Sequence, residues 1–362
     1  MLHCDALIVG GGPAGSTCAR ALRIAGWNVI VLDRARFPRD KVCGGWITLE
    51  VFPLLDLEPA QYRATGLTLQ EITGFRTSII GSDSVETRYA DVVSYAIRRC
   101  EFDDFLLRRA QVRVLEGTPL STLRRNGDNW IANDQIVAPV VVGAGGHFCP
   151  VARHLQGEGR DGARPVIAKE VEFGLGGRPS RIASDTPELF FCRDLEGYGW
   201  CVRKDDYLNV GIGRRERGDF GGHVREFLSF LADTGRVPEA ARLAWRGHAY
   251  HAMGAGVRPL VGNGVLLAGD AAGLAYPESG EGIRPAIESG RLAGQTLIAA
   301  DGRYGLDDLA PYQDVMGALH RPAGRTPSAL RPITTALGRA LLHSAAFTRH
   351  VMLDRWFLRM GL

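Results

Sequence analysis

This sequence contains no Cys-x-x-Cys pair, no signal-peptide pattern in its first residues and no long apolar run. Its seven cysteines are scattered and odd in number, and none forms a Cys-x-x-Cys pair, so neither a disulfide framework nor a zinc site is expected. The N-terminus has no basic segment and no apolar stretch long enough for a signal peptide. No uncharged run approaches the length of a membrane span. We therefore predict a cytoplasmic protein with reduced thiols and no metal.

The sequence also lacks a strong net charge. Its 362 residues carry a formal net charge of +3, which is too small to indicate a nucleic-acid partner. The basic excess lies in the tail, where seven arginines and one acid occur from Gly317 onwards. Arginines there alternate with aromatic residues such as Phe347, Trp356 and Phe357, a mixture that suits a bilayer interface. The tail is predicted to touch a membrane surface or a substrate entry. The commoner alternative is a helix packed on the nucleotide domain with a solvated basic face.

Residues 6–33 have the pattern of a strand, a glycine-rich turn, a helix and a second strand. Gly10, Gly12 and Gly15 form Gly-x-Gly-x-x-Gly after the first strand, and Asp33 ends the second. The glycines permit a tight turn and close approach of a diphosphate, the helix N-terminus faces the phosphates, and Asp33 would accept the ribose hydroxyls. The sequence therefore predicts a dinucleotide site. Its predicted contacts also include Pro13, Ala14 and Arg34.

The rest of the chain alternates between two kinds of pattern. From Val166 to Gly213, alternating apolar and polar residues indicate a largely antiparallel sheet. A strand, a loop and a helix then follow, so the nucleotide domain is predicted to be discontinuous. Its predicted boundaries are 1–70, 90–160 and 255–300, with a substrate domain over 71–89 and 161–254 and a helical region over 301–362. In that last region one helical face is shared by Leu330, Ile333, Leu337 and Leu341.

Four segments resemble known flavoproteins. "GVLLAGDAAGLAYPESGEGI" is similar to the second FAD fingerprint of proteins built like p-hydroxybenzoate hydroxylase. "KVCGGWIT", "RCEFDDFL" and "YGWCVRK" resemble the Lys-x-Cys-Gly-Gly, Arg-x-x-Phe-Asp and Tyr-x-Trp-x-Phe-Pro-Lys motifs of the geranylgeranyl reductase family. The resemblance implies an α/β fold, with a Rossmann-type FAD-binding domain, an interleaved antiparallel β-sheet substrate domain and a helical C-terminal tail. It implies FAD as cofactor and NAD(P)H or another external reductant as electron donor.

The same match assigns roles in FAD binding. Asp270 would bind a ribityl hydroxyl, and Pro277 would stiffen the loop that passes the flavin. Arg99 would reach the phosphates or ribose, a role that Arg98 could hold instead. The other implied FAD contacts are Cys43, Gly44, Gly269 and Ile283.

Two glycines of the second fingerprint are assigned to the flavin ring. Gly280 and Gly282 leave N–H groups bare at the start of the next helix. The positive end of that helix would stabilise the anion that develops at the N1–C2 edge of reduced flavin.

Two segments depart from the related patterns. "GAGG" at residues 143–146 replaces the Gly-Ala-Asp-Gly of hydroxylases, which weakens a single-component NAD(P)H hydroxylase interpretation. Val202 and Arg203 replace the Phe-Pro step of the reductase motif, which loosens the assignment to geranylgeranyl substrates. The Trp-x-Trp-x-Ile-Pro strand of flavin halogenases is also incomplete here.

The resemblance implies reduction of a carbon–carbon double bond in an isoprenoid-like or other apolar small molecule. Reduced flavin would give a hydride from N5 and a nearby acid would give a proton. Tyr198 and Trp200 would line the pocket, although Trp200 suits sheet packing equally well. The alternatives are an FAD-dependent monooxygenase of an apolar or aromatic metabolite, and a prenyl-binding escort protein that uses no flavin.

Cys43 is the candidate acid, because an ordinary thiol with a pKa of roughly 8.5 is protonated at neutral pH and can donate a proton. Lys41 could instead favour the thiolate, and the side chain could simply pack against the ring. Glycine pairs often mark a close approach, so we expect flavin or substrate against Gly44 and the glycine that follows it. Cys4 and Cys18 are predicted to be inert core residues.

Overall fold

The structure is a computed structural model. It describes residues 1–157, 165–215, 218–237, 245–253, 259–319 and 331–360, so the predicted helical position of Leu330 lies outside the described residues. The helices in these ranges are α1 Pro13–Ile24, α2 Val51–Leu54, α3 Pro59–Arg63, α4 Arg99–Arg109, α5 Pro150–Gln156, α6 Phe220–Asp233, α7 Ile283–Ala300, α8 Leu306–Leu319, α9 Arg331–Leu342 and α10 Ala345–Phe347.

Strands in the same ranges form four sheets. They are β1 Leu2–His3, β2 Ala6–Val9, β3 Val29–Leu32, β4 Trp46–Thr48, β5 Leu69–Ile72, β6 Gly74–Ile79, β7 Val85–Arg88, β8 Ser94–Ile97, β9 Arg113–Leu115, β10 Leu123–Asn126, β11 Asn129–Ala132, β12 Ile136–Ala138, β13 Val140–Gly143, β14 Val166–Gly174, β15 Glu188–Phe191, β16 Gly197–Lys204, β17 Tyr207–Arg215, β18 Arg246–Tyr250, β19 Val261–Gly262 and β20 Val265–Leu267.

A mostly parallel sheet forms the first layer, in the spatial order β19–β20–β13–β2–β3–β9. Its pairs are parallel except for β19 with β20. Every residue of β2 and β3 is buried, as is usual for parallel strands covered on both faces.

A seven-stranded sheet forms the second large layer of the described chain, in the order β18–β14–β17–β16–β15–β6–β7. Its pairs are antiparallel except for β15 with β6. Two smaller sheets complete the architecture, with the orders β4–β8–β5 and β1–β12–β11–β10. The first of these sheets contains β4, which comes after the loop that follows β3, and β8, which comes just before α4.

Helices α1 and α7 pack closely beside the parallel sheet. A Cβ atom on Gly290 would overlap the carbonyl oxygen of Ala14, and one on Gly294 would lie 2.8 Å from Ala21 Cβ. Glycine on α7 is therefore what lets the two helices approach. Neither helix has a side-chain cap at its N-terminus, so the first N–H groups of each stay available to a ligand.

The C-terminal segment packs against both the three-stranded sheet and the seven-stranded sheet. The π-helical segment Thr348–Phe357 buries Met352, Leu353 and Phe357, and Phe357 stacks on Trp46 with ring centroids 5.5 Å apart. This segment is therefore packed, and its partners include residues of the predicted nucleotide domain, since Trp46 lies within 1–70 and the Arg359 guanidinium lies 3.4 Å from the centroid of the Tyr276 ring. No helix of the described ranges is both long and apolar enough to cross a bilayer.

We predict that Gly290→Ala lowers the free energy of unfolding by about 1–3 kcal/mol, because the new methyl group must push α7 away from α1. Urea denaturation measures the change. Gly317→Ala is the matched control, since a Cβ there meets no atom within 4 Å and alanine favours a helix. Equal unfolding midpoints for the two variants would show that the α1–α7 contact is not close-packed.

Candidate functional site

A cavity of about 630 Å³ runs from the carboxyl edge of the parallel sheet to the antiparallel sheet. Parallel strands present loops and helix N-termini at that edge, which is where such sheets bind ligands. At this end the lining includes Gly10, Gly12, Pro13, Ala14, Asp33, Arg34, Arg99, Gly269 and Asp270. At the other end it includes Ala168, Leu189, Tyr198, Trp200, Val202 and Phe357.

At two positions of the glycine-rich turn the surrounding backbone is so close that only glycine fits. Gly10 has a φ of 114°, and a Cβ on it would overlap the Ala144 carbonyl. Gly15 does not line the cavity; a Cβ there would overlap the Gly10 carbonyl oxygen, so Gly15 serves the packing of turn and helix. Asp33 is buried at the end of β3 and accepts the N–H groups of Gly11 at 2.7 Å and Ala35 at 2.8 Å.

Two arginines share one buried carboxylate beside this turn. Arg99 makes a two-pronged pair with Asp103 at 2.8 and 2.9 Å, and Arg39 lies 3.2 Å from the same carboxylate. Both arginines line the cavity. The Nη1 atom of Arg39 is buried and has no hydrogen-bond partner among the described residues. Arg99 is therefore not an ordinary surface arginine, and Arg39 is a basic contact that the sequence interpretation missed.

Arg98 is turned away from the cavity. Its guanidinium donates to Glu172 at 2.9 Å and to Glu101 at 2.7 Å, and it lies over the Tyr207 ring at 3.5 Å. The alternative assignment of the phosphate role to Arg98 is therefore not supported by its position.

Asp270 lies with two basic side chains on the cavity wall. His248 Nε2 is 3.5 Å and Lys41 Nζ is 3.9 Å from Asp270 Oδ2, and Lys41 Nζ is 2.5 Å from His248 Nε2. Burial acts to raise the pKa of Asp270, but the hydrogen bond from His248 and the charge of Lys41 lower it to about 2. Burial lowers the pKa of Lys41 to about 8. The Asp270 carboxylate is thus an acceptor at neutral pH.

Both backbone groups of Cys43 are held by the antiparallel sheet. The Cys43 N–H donates to Glu170 Oε2 at 2.6 Å, and Asn209 Nδ2 lies 3.3 Å from the Cys43 carbonyl oxygen. The same Nδ2 lies 3.3 Å from Glu170 and from Glu172, while Asn209 Oδ1 accepts the Trp200 N–H at 2.7 Å. Asn209 thereby links the loop to three strands of the sheet.

The Cys43 sulfur has donors beside it. Cys43 Sγ accepts the N–H of Gly45 at 3.4 Å, and it is among the groups that interact with the Arg99 guanidinium. The sulfur therefore lies beside a backbone N–H donor and a guanidinium group, in a residue that lines the cavity.

Glu170 and Glu172 differ in protonation although they are two residues apart on β14. Burial raises the pKa of Glu170 to about 7, against the charge of Lys204. Burial also acts on Glu172, but Lys204 at 2.7 Å and Arg98 lower its pKa below the usual value. Lys204 is fully buried, so its charge is compensated by Glu172. In this network Glu172 is ionised at neutral pH, whereas Glu170 titrates near neutrality.

The two glycines after Cys43 are approached by protein atoms. A Cβ on Gly44 would lie 3.4 Å from Trp200 Nε1, and one on Gly45 would overlap the Ile97 carbonyl and lie 2.5 Å from Lys204 Nζ. Gly45 also has a φ of 66°. Protein atoms therefore already explain why glycine is needed at position 45, while Cys43, Gly44 and Gly45 all line the cavity, so the approach of flavin or substrate to this backbone stays a prediction.

Tyr198 and Trp200 lie at the apolar end. Tyr198 donates its hydroxyl to the Ser279 carbonyl and packs 5.5 Å from Phe357. Trp200 is buried in the sheet core and also lines the cavity, and a Cβ on Gly211 would overlap its indole ring. The two interpretations of Trp200, core packing and pocket wall, therefore both describe its position.

The residues of the second fingerprint are not all on the cavity. Gly280, Gly282 and Ile283 line it at the start of α7, whereas Pro277 is not among the lining residues. The helix start is therefore placed where a flavin edge could meet it, and Pro277 is set back in the preceding loop.

Cys4 and Cys18 are buried and do not line the cavity. Burial raises the pKa of each thiol to about 12. Their predicted inertness agrees with this environment.

The residues at the sheet edge fit FAD. The orphaned Arg39 Nη1, the uncapped N-termini of α1 and α7, and the open space over Gly12, where a Cβ would meet only Arg39 Nη2 at 3.4 Å, suit an anionic dinucleotide. In the part of the chain that is described, no group of three or more His, Cys, Asp or Glu side chains is arranged to hold a metal.

Several site residues were missed at the sequence level, namely Arg39, Asp103, Glu170, Glu172, Asn209 and His248. One signal was available for Glu170 and Glu172, since residues two apart on a strand share a face. A second signal was the rarity of lysine. The sequence contains three lysines, and two of them, Lys41 and Lys204, lie in this site. Asn209 carried no signal.

Comparisons with known proteins agree with this geometry. Residues 3–57 match the model of an FAD binding domain. A menaquinone reductase of Mycobacterium tuberculosis is 30% identical over 332 residues, which cover 82% of this chain and 77% of that protein. A digeranylgeranylglycerophospholipid reductase of Methanothrix thermoacetophila is 28% identical over 335 residues, covering 86% and 82%.

A comparison of folds also finds a similar solved structure. A geranylgeranyl bacteriochlorophyll reductase-like protein of Thermoplasma acidophilum superposes with a TM-score of 0.74 at 19% identity, covering 94% of this chain and 88% of that one. The predicted α/β fold and the FAD-binding domain are thereby confirmed. With the relatives above, these likenesses establish that the chain belongs to the geranylgeranyl reductase family of FAD-dependent oxidoreductases.

Proposed function

We propose that this FAD-dependent oxidoreductase reduces a carbon–carbon double bond in an isoprenoid-like apolar molecule. The observation that carries the proposal is the continuity of the cavity, which is polar at the sheet edge and apolar at the antiparallel sheet. A relative whose name specifies a digeranylgeranyl lipid supports an isoprenoid substrate.

The residues that would hold FAD are those at the sheet edge. Asp33 would take the ribose hydroxyls, Arg39 and Arg99 the diphosphate, Asp270 the ribityl chain, and the N-terminus of α7 the flavin edge. When bound and reduced, the flavin supplies a hydride to the substrate. We propose NAD(P)H or another external donor as the source of those electrons.

The substrate would lie against Trp200, Val202, Leu189 and Phe357. These side chains are buried and packed, so they offer a dry apolar wall, and burial of an isoprenoid chain against it is favourable by about 25 cal/mol per Å². The Cys43 thiol would donate the proton to the reacting carbon, since both backbone groups of Cys43 are fixed by the sheet.

Anaerobic reduction of the purified yellow protein followed by rapid mixing tests the proposal. We expect a polyprenyl compound to reoxidise the flavin without oxygen and to gain two hydrogens per reduced bond, as seen by mass spectrometry. Reoxidation only by O₂, with insertion of an oxygen atom into substrate, would support the monooxygenase alternative. A colourless protein that still binds the compound would support the escort alternative.

We predict that Asp270→Ala lowers FAD affinity roughly 10–100-fold, because a hydrogen bond to a charged group contributes about 1.5–3 kcal/mol. Acid precipitation of the wild type should release all of its yellow colour, since the FAD is predicted to be non-covalent. Asp314→Ala, at an exposed position of α8, is the control. Unchanged FAD occupancy in Asp270→Ala would remove the role assigned to this carboxylate.

For Cys43 we predict that Cys43→Ala keeps FAD and accepts electrons from the reductant but loses the reaction with substrate by about 10²-fold or more. Cys43→Ser tests whether a hydroxyl can replace the thiol at the same backbone position. Stopped-flow absorbance separates the two half-reactions. Native rates in both variants would mean that the thiol only packs.

We also propose that the tail contacts a membrane surface. Ile333 and Leu337 lie one turn apart on α9 and are 68% and 58% exposed. Trp356, on the π-helical segment that follows, is also exposed, whereas Phe357 next to it lines the cavity. A bilayer could cover the first three residues and deliver an apolar substrate near the last.

Co-sedimentation with anionic liposomes at low salt measures this contact. Ile333→Asp is expected to reduce the bound fraction severalfold, since a carboxylate opposes insertion into an anionic interface. Ile24→Asp is the matched control, because Ile24 is also 68% exposed but lies on α1. Absence of wild-type binding, or equal loss in the two variants, would leave the tail with a packing role alone.

A further inference from the structure

Glu170 is a buried acid that takes no part in the FAD and substrate contacts described so far. It belongs to β14 and is 7% exposed. Its Oε2 atom accepts the Cys43 N–H at 2.6 Å and lies 3.3 Å from Asn209 Nδ2. One carboxyl oxygen thus receives the backbone N–H of the residue that would give its proton to the substrate.

The strand register places Glu170 beside a second residue that holds the same loop. On β14, Glu170 stands opposite Arg246 of β18. Arg246 pairs with Asp40, which comes three residues before Cys43. The two side chains, neighbours across the sheet, therefore attach one loop at two places, and the second place is the residue that carries the thiol.

The loop depends on such contacts because of its own composition. Residues 41–45 belong to no helix or strand, and Gly44 and Gly45 give the backbone more freedom than other residues would. Both backbone groups of Cys43 are bonded to side chains of the sheet. Without Glu170 the Cys43 N–H would lose its acceptor, and the two glycines would let the loop move. The position of the thiol therefore depends on this carboxyl group.

Charged and titratable groups face Glu170 from three strands and from the loop. They are Glu172 of β14, Lys204 of β16, Arg246 of β18 and, from the loop, the thiol-bearing residue Cys43. Burial raises the pKa of Glu170 to about 7, although the charge of Lys204 and the Cys43 N–H act to lower it. The carboxyl group is therefore partly ionised at neutral pH. A hydrogen bond to an ionised acceptor is roughly twice as strong as one to a neutral acceptor.

We propose that Glu170 positions the Cys43 thiol for the proton transfer, an inference that rests on the proposed function. The ionised carboxyl group holds the Cys43 N–H firmly and keeps the thiol where the substrate double bond takes up its proton. The neutral carboxyl group is a weaker acceptor, so it holds the loop less firmly. Glu170 is not among the residues that line the cavity, so it neither gives nor takes a proton in the reaction and acts through the loop.

Glu170→Ala and Glu170→Gln test the role in the FAD-loaded enzyme. Alanine removes the acceptor, whereas glutamine keeps the size of the side chain and a carbonyl acceptor but stays neutral at every pH. We expect Glu170→Ala to be reduced normally by the electron donor but to react with a polyprenyl substrate about 10–10²-fold more slowly, because the proton donor is misplaced. Anaerobic stopped-flow absorbance measures both half-reactions.

The pH profile separates positioning from a merely structural contribution. The wild-type rate with substrate should rise severalfold as the pH rises through about 7, since the Glu170 carboxylate forms there. Glu170→Gln should match the wild type below this pH and lack the rise, while any titration of the thiol itself appears in both profiles. Glu226→Gln, at an exposed position of α6, is the control and should keep the wild-type profile.

A readout without substrate comes from the Cys43 amide itself. The seven cysteines are the only residues seen by NMR when cysteine alone carries ¹⁵N in the FAD-loaded protein, and the signal absent from Cys43→Ser belongs to Cys43. In the wild type this amide proton should move downfield as the pH rises through about 7, because a carboxylate is the stronger acceptor. The signal should stay in place in Glu170→Gln, and those of Cys4 and Cys18 should stay in place in both proteins.

The outcomes separate the two proposals. A wild type that never reduces a polyprenyl double bond contradicts the proposed function, whatever the amide signals show. A wild type that does so overturns the role of Glu170 if Glu170→Ala reacts at the native rate, or if Glu170→Gln shows the same rise with pH. A Cys43 amide signal that moves equally in the wild type and in Glu170→Gln also overturns it. The glutamine variant decides alone if Glu170→Ala does not fold.

Discussion

The Asn209 side chain is the contact on which the geometry of the site depends. Its nitrogen lies 3.3 Å from the Cys43 carbonyl and from two carboxylates, and its oxygen accepts the Trp200 N–H. An amide side chain can donate and accept at the same time, and a fully connected polar network is rigid. The loop from the parallel sheet is thus attached to the antiparallel sheet at the point where the polar and apolar ends of the cavity meet.

This attachment lies in a buried region, where each charged side chain is compensated by a neighbour of opposite charge. Lys204 has no exposure, yet Glu172 lies 2.7 Å from its ammonium group, and Arg98 also donates to that carboxylate. Glu170 is left to titrate near neutrality while it accepts the Cys43 N–H. The same principle recurs at the sheet edge, where a single buried carboxylate holds two arginines beside the glycine-rich turn.

Local patterns could be predicted from the sequence because each is encoded within a few residues. The turn at Gly10 and Gly12, the acid Asp33 and the start of α7 all lie on the cavity. The contacts that assemble the site span more than a hundred residues, as between the Cys43 loop and β14 or β17, and no local pattern carries them. Gly45 shows the limit most clearly, since a Cβ there would meet atoms of Ile97 and Lys204, which lie far along the chain.

Our central proposal is that flavin and an apolar substrate meet at the Cys43 loop in a single cavity. The most direct test is a titration of the oxidised, FAD-loaded protein with a polyprenyl compound, followed in parallel by flavin absorbance and by calorimetry. We predict a saturable change in the flavin spectrum with the same Kd as the calorimetric binding. Binding in the calorimeter with no change in the flavin spectrum would contradict a shared cavity, because the two ligands would then lie in separate sites.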